Sequence, residues 1–213
     1  MEAFEEARLY FLNNQDTFWN NAQRHMSLSL SALLIAMLIG IPLGVLIARR
    51  LRLAEATISF FGALRLVPSI AVLFLALPYL RTGFRPALVA LTILAVPPIL
   101  INTYAGLRGV SRATVEAALG MGMAPRQVLW RVELPLALPA IIAGVRLATV
   151  EVIASATLAA FIGGGGLGDF ITRGFALNDP SIMLVGAIPV ALLALMAELL
   201  FGIFQRRVST PLA

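Results

Sequence analysis

The sequence predicts an all-α membrane protein with five transmembrane helices, and its composition and the spacing of its apolar residues support this prediction. Of the 213 residues, 60% are hydrophobic and only 13% are charged. A soluble domain of this length could not cover so much apolar surface with polar side chains. The apolar residues form long blocks, and a helical span of the hydrocarbon core needs about 20 such residues. We therefore predict a polytopic membrane protein with a single domain.

The five apolar blocks are separated by short segments that contain most of the arginines. They cover residues 27–48, 57–79, 86–107, 136–162 and 181–204. At 1.5 Å per residue, the first block would be roughly 33 Å long, which is enough to cross. Residues 1–26 mix aromatic side chains with acids and amides, which predicts an amphipathic segment at the membrane surface. Residues 27–208 then form the transmembrane domain.

The arginines predict the orientation of the spans. All 16 basic residues are arginine, and nine of them lie in the segments on one side of the predicted spans, against five on the other. Because cytoplasmic segments carry an excess of basic residues, we predict that the N-terminus is outside and the C-terminus is in the cytoplasm. The arginines are dispersed rather than clustered on one face, so the sequence does not predict a nucleic-acid site.

The sequence contains no pattern typical of an enzyme or a metal site. It has no cysteine and one histidine, His25, whereas a metal site needs several ligands. The H-E-x-x-H and G-x-S-x-G motifs are also absent. We therefore predict no catalytic residue, no metal and no cofactor bound by this chain.

The longest polar interval between two apolar blocks runs from residue 116 to residue 135. Gly120 and Gly122 follow a short helix-forming run, and Pro125 stands where a proline would begin a second short helix. Pro135 is expected to end that second helix. This pattern predicts a helix–turn–helix elbow within a cytoplasmic loop over residues 108–135.

This interval resembles the EAA loop of the membrane subunits of bacterial ABC importers. Glu116, Ala117 and Ala118 are followed by Gly122 and then, after nine residues, by a segment that ends in Leu134 and Pro135. The resemblance implies the type I ABC-importer (MetI-like) permease fold. It also implies that the chain hydrolyses nothing itself and contacts a separate ATPase. The implied coupling residues are Glu116, Ala117, Ala118, Gly120, Met121, Gly122, Pro125, Leu134 and Pro135.

Other segments are similar to the osmoprotectant importers of the glycine betaine, carnitine and choline class. They cover residues 102–110, 134–150, 156–174 and 186–195. The resemblance implies an importer of compatible solutes in a bacterial or archaeal cytoplasmic membrane. Its implied partners are an ATP-binding subunit dimer that binds ATP and Mg²⁺, a second permease copy (identical or paralogous) and an extracytoplasmic solute-binding protein. An importer of another small solute such as an amino acid, and an ion-coupled secondary transporter that uses Glu151, are the alternatives.

Four ionisable residues fall within the apolar blocks, where charges are costly and usually face a cavity or a partner. They are Arg65, Arg146, Glu151 and Glu198. We predict translocation-path roles for Arg65, Asn102, Tyr104, Arg146 and Glu151. For Arg146 and Glu151 the alternative is a structural ion pair that fixes helix packing. For Asn102 and Tyr104 it is anchoring of the helix end at the membrane interface.

Four consecutive glycines, Gly163, Gly164, Gly165 and Gly166, separate the last two blocks. Glycine runs do not continue a helix cheaply, so they predict a tight structural turn. Asp169 and Arg173, four residues apart on the helix that follows, are expected to pair.

Overall fold

The structure, a computed structural model, describes residues 2–209, apart from the side chains of residues 51, 52 and 209. Residue 1 of the predicted surface segment lies outside the described residues. Within residues 2–209 the chain forms ten α-helices: α1 Glu2–Asn13, α2 Gln15–Ala48, α3 Leu51–Leu64, α4 Ser69–Leu80, α5 Phe84–Arg108, α6 Arg112–Gly120, α7 Pro125–Val128, α8 Leu134–Ser155, α9 Gly168–Leu177 and α10 Pro180–Ser209. A π-helical turn, Leu129–Glu133, joins α7 to α8, and a 3-10 helix, Ala156–Ile162, follows α8.

Four helical segments in the described part of the chain are long and apolar enough to cross a membrane. They are Gln15–Ala48, Phe84–Arg108, Pro125–Ile162 and Pro180–Val208. The bent pair formed by α3 and α4 would be a fifth. The prediction of an all-α protein with up to five spans is therefore confirmed.

The second apolar block differs from the continuous helix that its composition suggests. α3 and α4 meet at an angle of 94° across a break of four residues. Pro68 causes part of this break, because it has no N–H to donate and because it keeps Val67 out of the helical region. Pro68 itself is extended, with φ −56° and ψ 134°, and it directly precedes α4.

The N-terminal segment also differs from its expected form. Residues 2–26 do not form a separate surface helix, because α2 begins at Gln15 and continues without interruption through the first apolar block. α1 precedes it, and α1 packs against the start of α10, where the Ser181 hydroxyl donates to Glu6 Oε2 at 2.7 Å.

α5 lies at the centre of the fold because glycines on both neighbouring helices let their backbones approach it closely. A Cβ atom at Gly44 of α2 would lie 2.7 Å from Thr103 Cβ, and one at Gly144 of α8 would lie 2.7 Å from Asn102 Cβ. Small residues of this kind are the usual means by which membrane helices pack tightly. α2, α5 and α8 therefore form a close-packed layer, and α10 and the α3–α4 pair lie at its margins.

Candidate functional site: the coupling elbow and the intramembrane charges

The predicted elbow is a compact projection of two short helices at one end of the molecule. α6 ends at Gly120, and Gly122 has φ +85°, a conformation that glycine adopts without strain. The amide of Met123 donates to the carbonyl oxygen of Ala118 at 3.2 Å, which closes the turn. Pro125 then begins α7, and Gln127 Oε1 accepts a hydrogen bond from the Ala124 amide at 2.8 Å.

The side of the elbow that packs on the protein is small and apolar. Ala118 and Val128 are only 3% and 2% exposed. Leu134 is half-buried, and the other predicted coupling residues are exposed: Glu116, Ala117, Gly120, Met121, Gly122, Pro125 and Pro135. The elbow therefore presents most of these residues to the outside as one continuous surface.

Pro135 does not end the second elbow helix, contrary to the sequence-based expectation. α7 runs through the π-helical turn directly into α8, and Pro135 lies in the first turn of α8. The wider π-helical turn and the first-turn position both tolerate a residue that lacks an N–H. As a result, the elbow and the fourth span form one continuous helical segment, Pro125–Ile162.

An ion pair ties this segment to α2. Arg49 Nη2 donates to Glu133 Oε2 at 2.5 Å, across 84 residues of sequence. Arg49 directly follows α2 and Glu133 ends the π-helical turn. The pair therefore links the π-helical turn before α8 to the end of α2.

Arg146 is held by α10. Its Nε donates to Glu198 Oε2 at 2.9 Å, its Nη2 donates to Glu198 Oε1, and its Nη1 donates to Gln205 Oε1 at 3.1 Å. Gln205 in turn donates to the carbonyl oxygen of Pro139 at 3.5 Å. This cluster, which we call the Arg146 cluster, joins α8 to α10 within the apolar segments.

The other predicted path residues lie in different surroundings. Arg65 is exposed at the bend between α3 and α4, and its charge interacts with that of Glu151, which is half-buried on α8. Asn102 donates to the carbonyl oxygen of Pro98 in its own helix at 2.8 Å. Tyr104 is half-buried against the main apolar core. Among the described residues Arg65 and Glu151 form no ion pair with each other, and Arg146 belongs to a separate cluster.

The four glycines form a turn at the end of the molecule opposite the elbow. Gly163, Gly165 and Gly166 have φ of +72°, +77° and +99°. Arg24 of α2 supports the turn, because its Nε donates to the carbonyl oxygen of Gly164 at 2.7 Å. The amide of Gly83 donates to the carbonyl oxygen of Ile162 at 2.8 Å, which connects the turn to the α4–α5 link.

Within residues 2–209, Asp169, just beyond the turn, does not form the expected ion pair with Arg173. Burial raises the pKa of the Asp169 carboxyl, and the positive charge of Arg24 opposes this rise. Arg24 therefore supports the glycine turn through its bond to the carbonyl oxygen of Gly164.

Comparison with known proteins gives the family. Residues 40–210 match the family described as the binding-protein-dependent transport system inner membrane component. The chain belongs to this family.

Several curated members of the family align with nearly the whole chain. The carnitine transport permease protein OpuCB of Listeria monocytogenes is 42% identical over 204 residues, which covers 96% of this chain and 93% of the relative. The choline transport system permease protein OpuBB of Bacillus subtilis is 42% identical over 185 residues, or 87% of this chain and 85% of the relative. The osmoprotectant import permease protein OsmY of Salmonella typhimurium is 40% identical over 189 residues, or 88% and 80%.

Solved structures show the fold of this inner membrane component. The MetNI methionine ABC transporter in an inward-facing conformation matches with a TM-score of 0.81 at 21% identity, over 92% of this chain and 97% of that chain. An amino acid ABC transporter with histidines matches with a TM-score of 0.78 at 19% identity, over 93% and 97%. The type I (MetI-like) permease fold, which the elbow motif implied, is confirmed.

Sequence reasoning missed three features of this inner membrane component. The Arg49–Glu133 pair and the support of the glycine turn by Arg24 both join residues far apart in sequence. The bond between Arg146 and Glu198 spans 52 residues. For Arg146 and Glu198 the sequence offered the presence of opposite charges in apolar blocks, which does not specify a partner. Arg24, Arg49 and Glu133 lie outside the apolar blocks, and no sequence signal marked their contacts.

Proposed function

We propose that this chain is the membrane-spanning permease subunit of an ATP-driven importer of compatible solutes of the glycine betaine, choline and carnitine class. The observation that carries this proposal is the alignment with a carnitine permease over 96% of this chain and 93% of the relative. Relatives described as choline and osmoprotectant permeases align over similar lengths. The chain resides in a bacterial cytoplasmic membrane, where it forms half of the solute path.

The elbow couples the permease to a separate ATPase, which binds ATP and Mg²⁺. Its exposed residues, from Glu116 through Pro125, form the contact surface, and the buried Ala118 and Val128 keep it rigid. Because α7 continues into α8 and Arg49 binds Glu133, closure of the ATPase dimer would move α8 and α2 as one body.

A second permease copy completes the path. The side chains of Arg146 and Glu198 are 32% and 43% exposed although they lie within apolar helices. Charged groups inside a membrane face protein or a water-filled cavity rather than lipid. The face of α8 and α10 that carries the Arg146 cluster is therefore covered by the second copy, or it lines the path between the two copies.

Solute passes the region of the α3–α4 bend, with Arg65 and Glu151 on its walls and Asn102 and Tyr104 nearby. Broken helices place polar backbone groups and charges inside a membrane, where they serve solutes or ions. An extracytoplasmic binding protein delivers the solute to the end of the molecule that carries the glycine turn.

Copurification tests the proposed coupling. We expect the Glu116→Arg variant to lose its copurifying ATPase, because the substitution reverses a charge within the proposed contact surface. Glu55→Arg is the matched control, since Glu55 is exposed on α3 outside the elbow, and it should keep the ATPase. Equal ATPase recovery in both variants would contradict the proposed role of the elbow in binding the ATPase.

The same preparation tests the assembly and the solute class. Native mass spectrometry of the unmodified complex should find two permeases, two ATPases and one binding protein. The binding protein should be stabilised by glycine betaine, choline or carnitine. Stabilisation by an amino acid alone would change the solute class, and ATP-independent transport by the permease alone would make it a secondary transporter.

A further inference from the structure

An open apolar groove lies between α2 and α8 at the elbow end of the molecule. It has a volume of about 790 Å³ and is lined by α2 residues between Ile41 and Arg49 and by residues between Leu129 and Ile141. We call it the α2–α8 groove. Its lining is apolar apart from Arg49, and Leu46, Trp130 and Leu138 expose 50%, 70% and 39% of their surface there. Leu134 and Pro135 are predicted coupling residues, but the coupling and path roles proposed above do not account for the α2 side of the groove or for Trp130.

The length of the groove matches one leaflet of a bilayer. From Ile41 to Arg49, α2 rises about 12 Å along its axis. Half of a hydrocarbon core of about 30 Å is about 15 Å. A lipid acyl chain that enters the groove beside Arg49 would therefore extend past Ile41 towards the bilayer centre.

The rim of the groove has an excess of positive charge. Arg49 is already bound to Glu133. Arg50, the neighbour of Arg49, and Arg131, the neighbour of Trp130, are both exposed. Arg49 lines the groove, and Arg50 and Arg131 each follow a lining residue in the sequence, so the basic residues of these two segments outnumber the one carboxylate that binds Arg49. This excess favours an anionic ligand. Trp130, with its apolar ring and polar N–H, suits the level of lipid headgroups.

We infer that the α2–α8 groove binds an anionic phospholipid, with an acyl chain along α2 and the headgroup at Arg49 and its neighbouring arginines. A zwitterionic lipid could fill the apolar part of the groove equally well, but it would gain less at the arginine rim. A protein partner such as the second permease copy is the alternative occupant, and it would shield Trp130 from lipid altogether.

The two tryptophans of the chain allow a direct test. Trp19 lies in α2 near its start, and Trp130 lies in the groove. The Trp19→Phe variant, reconstituted as the full chain in mixed vesicles of phosphatidylcholine and phosphatidylglycerol, reports on Trp130 alone. We expect chain-brominated phosphatidylglycerol to quench Trp130 more strongly than chain-brominated phosphatidylcholine at equal mole fraction. The Trp130→Phe variant reports on Trp19, where the two lipids should quench equally.

Charge variants at the rim separate headgroup binding from a purely structural ion pair. Each arginine near an anionic lipid surface contributes about a fivefold preference, so Arg49→Gln should lower the preference of Trp130 quenching for phosphatidylglycerol by up to about that factor. Glu133→Gln should raise the preference, because it frees Arg49. Arg108→Gln, an exposed arginine at the end of α5, is the control and should leave it unchanged.

A groove-filling variant tests the position of the lipid acyl chain. Val45→Phe, inside the groove, should reduce quenching of Trp130 by both lipids, whereas Leu38→Phe, on the same helix and 75% exposed outside the groove, should not. Equal quenching by the two lipids in the Trp19→Phe variant would overturn the proposal. Protection of Trp130 from both lipids would overturn it as well and would assign the groove to a protein partner.

Discussion

At the scale of single residues, the most informative contacts are those that place charges inside apolar helices. Arg146 uses three nitrogens to bind Glu198 and Gln205, so its charge is paired and three of its five N–H donors are used. An ion pair in apolar surroundings contributes little net stability compared with apolar residues of the same shape, but removal of one partner leaves an unpaired charge. The Arg146 cluster therefore joins α8 to α10 through paired charges.

We expect Arg146→Met and Glu198→Leu each to lower the thermal midpoint of the purified permease, because each leaves one charge unpaired. The double variant should recover most of the loss, since it removes both charges together. Thermal unfolding of the detergent-solubilised protein measures this coupling. A double variant whose loss equals the sum of the two single losses would mean that the two side chains do not interact energetically.

Transport assays on the double variant then separate packing from a path role. If the variant is stable but does not transport, the charges serve the path. If it is stable and transports, they serve helix packing alone.

At the scale of elements, the glycine turn shows why a position in a short segment can require one particular residue type. Gly165 has φ +77°, and a Cβ atom there would lie 2.7 Å from the Arg24 side chain. Arg24 cannot move away freely, because its Nε is bound to the carbonyl oxygen of Gly164. The turn therefore requires glycine for its backbone conformation and for the approach of α2.

We expect Gly165→Ala to destabilise the protein by about 1–2 kcal/mol from the left-handed backbone alone. The displacement of Arg24 should add to this loss. Gly62→Ala is the matched control, because Gly62 lies within α3 with no atom near its Cβ position. It should be neutral or stabilise by up to about 1 kcal/mol. Thermal unfolding measures both variants. Equal midpoint temperatures for Gly165→Ala and Gly62→Ala would show that the turn does not require glycine at position 165.

At the scale of the whole molecule, contacts between segments far apart in sequence occur at two opposite ends, one with the glycine turn and one with the elbow. The glycine turn meets α2 at Arg24 and the α4–α5 link at Gly83. The π-helical turn meets the other end of α2 at Arg49. This division agrees with the arginine distribution, because the α2–α3 link and the elbow, both rich in arginine, lie at the same end.

The absence of cysteine makes the predicted orientation testable. We expect Thr82→Cys, in the exposed α4–α5 link, to react with a membrane-impermeant maleimide on intact cells. Ser111→Cys, exposed before α6, should react only after the membrane is opened. The parent chain has no thiol and serves as the control. The reverse labelling pattern would place the elbow outside and would exclude coupling to a cytoplasmic ATPase.

The sequence by itself determined the apolar spans, the elbow and the glycine turn. Each depends on a constraint that acts within one segment of the chain. Block length decides whether a helix can cross a membrane. Glycine permits left-handed backbone conformations where it stands, and proline restricts the backbone there. The prediction failed at Pro135, since a proline permits a helix whose first turn includes it, and local sequence does not say which turn is first.

Only the tertiary structure decided the 94° bend between α3 and α4, the partners of Arg24, Arg49 and Arg146, and the α2–α8 groove. These features join residues from different helices. The pairing of two charges depends on how their helices pack and rotate against each other, and that packing is set by small residues such as Gly44 and Gly144 on several helices at once. No single segment of the sequence contains that information.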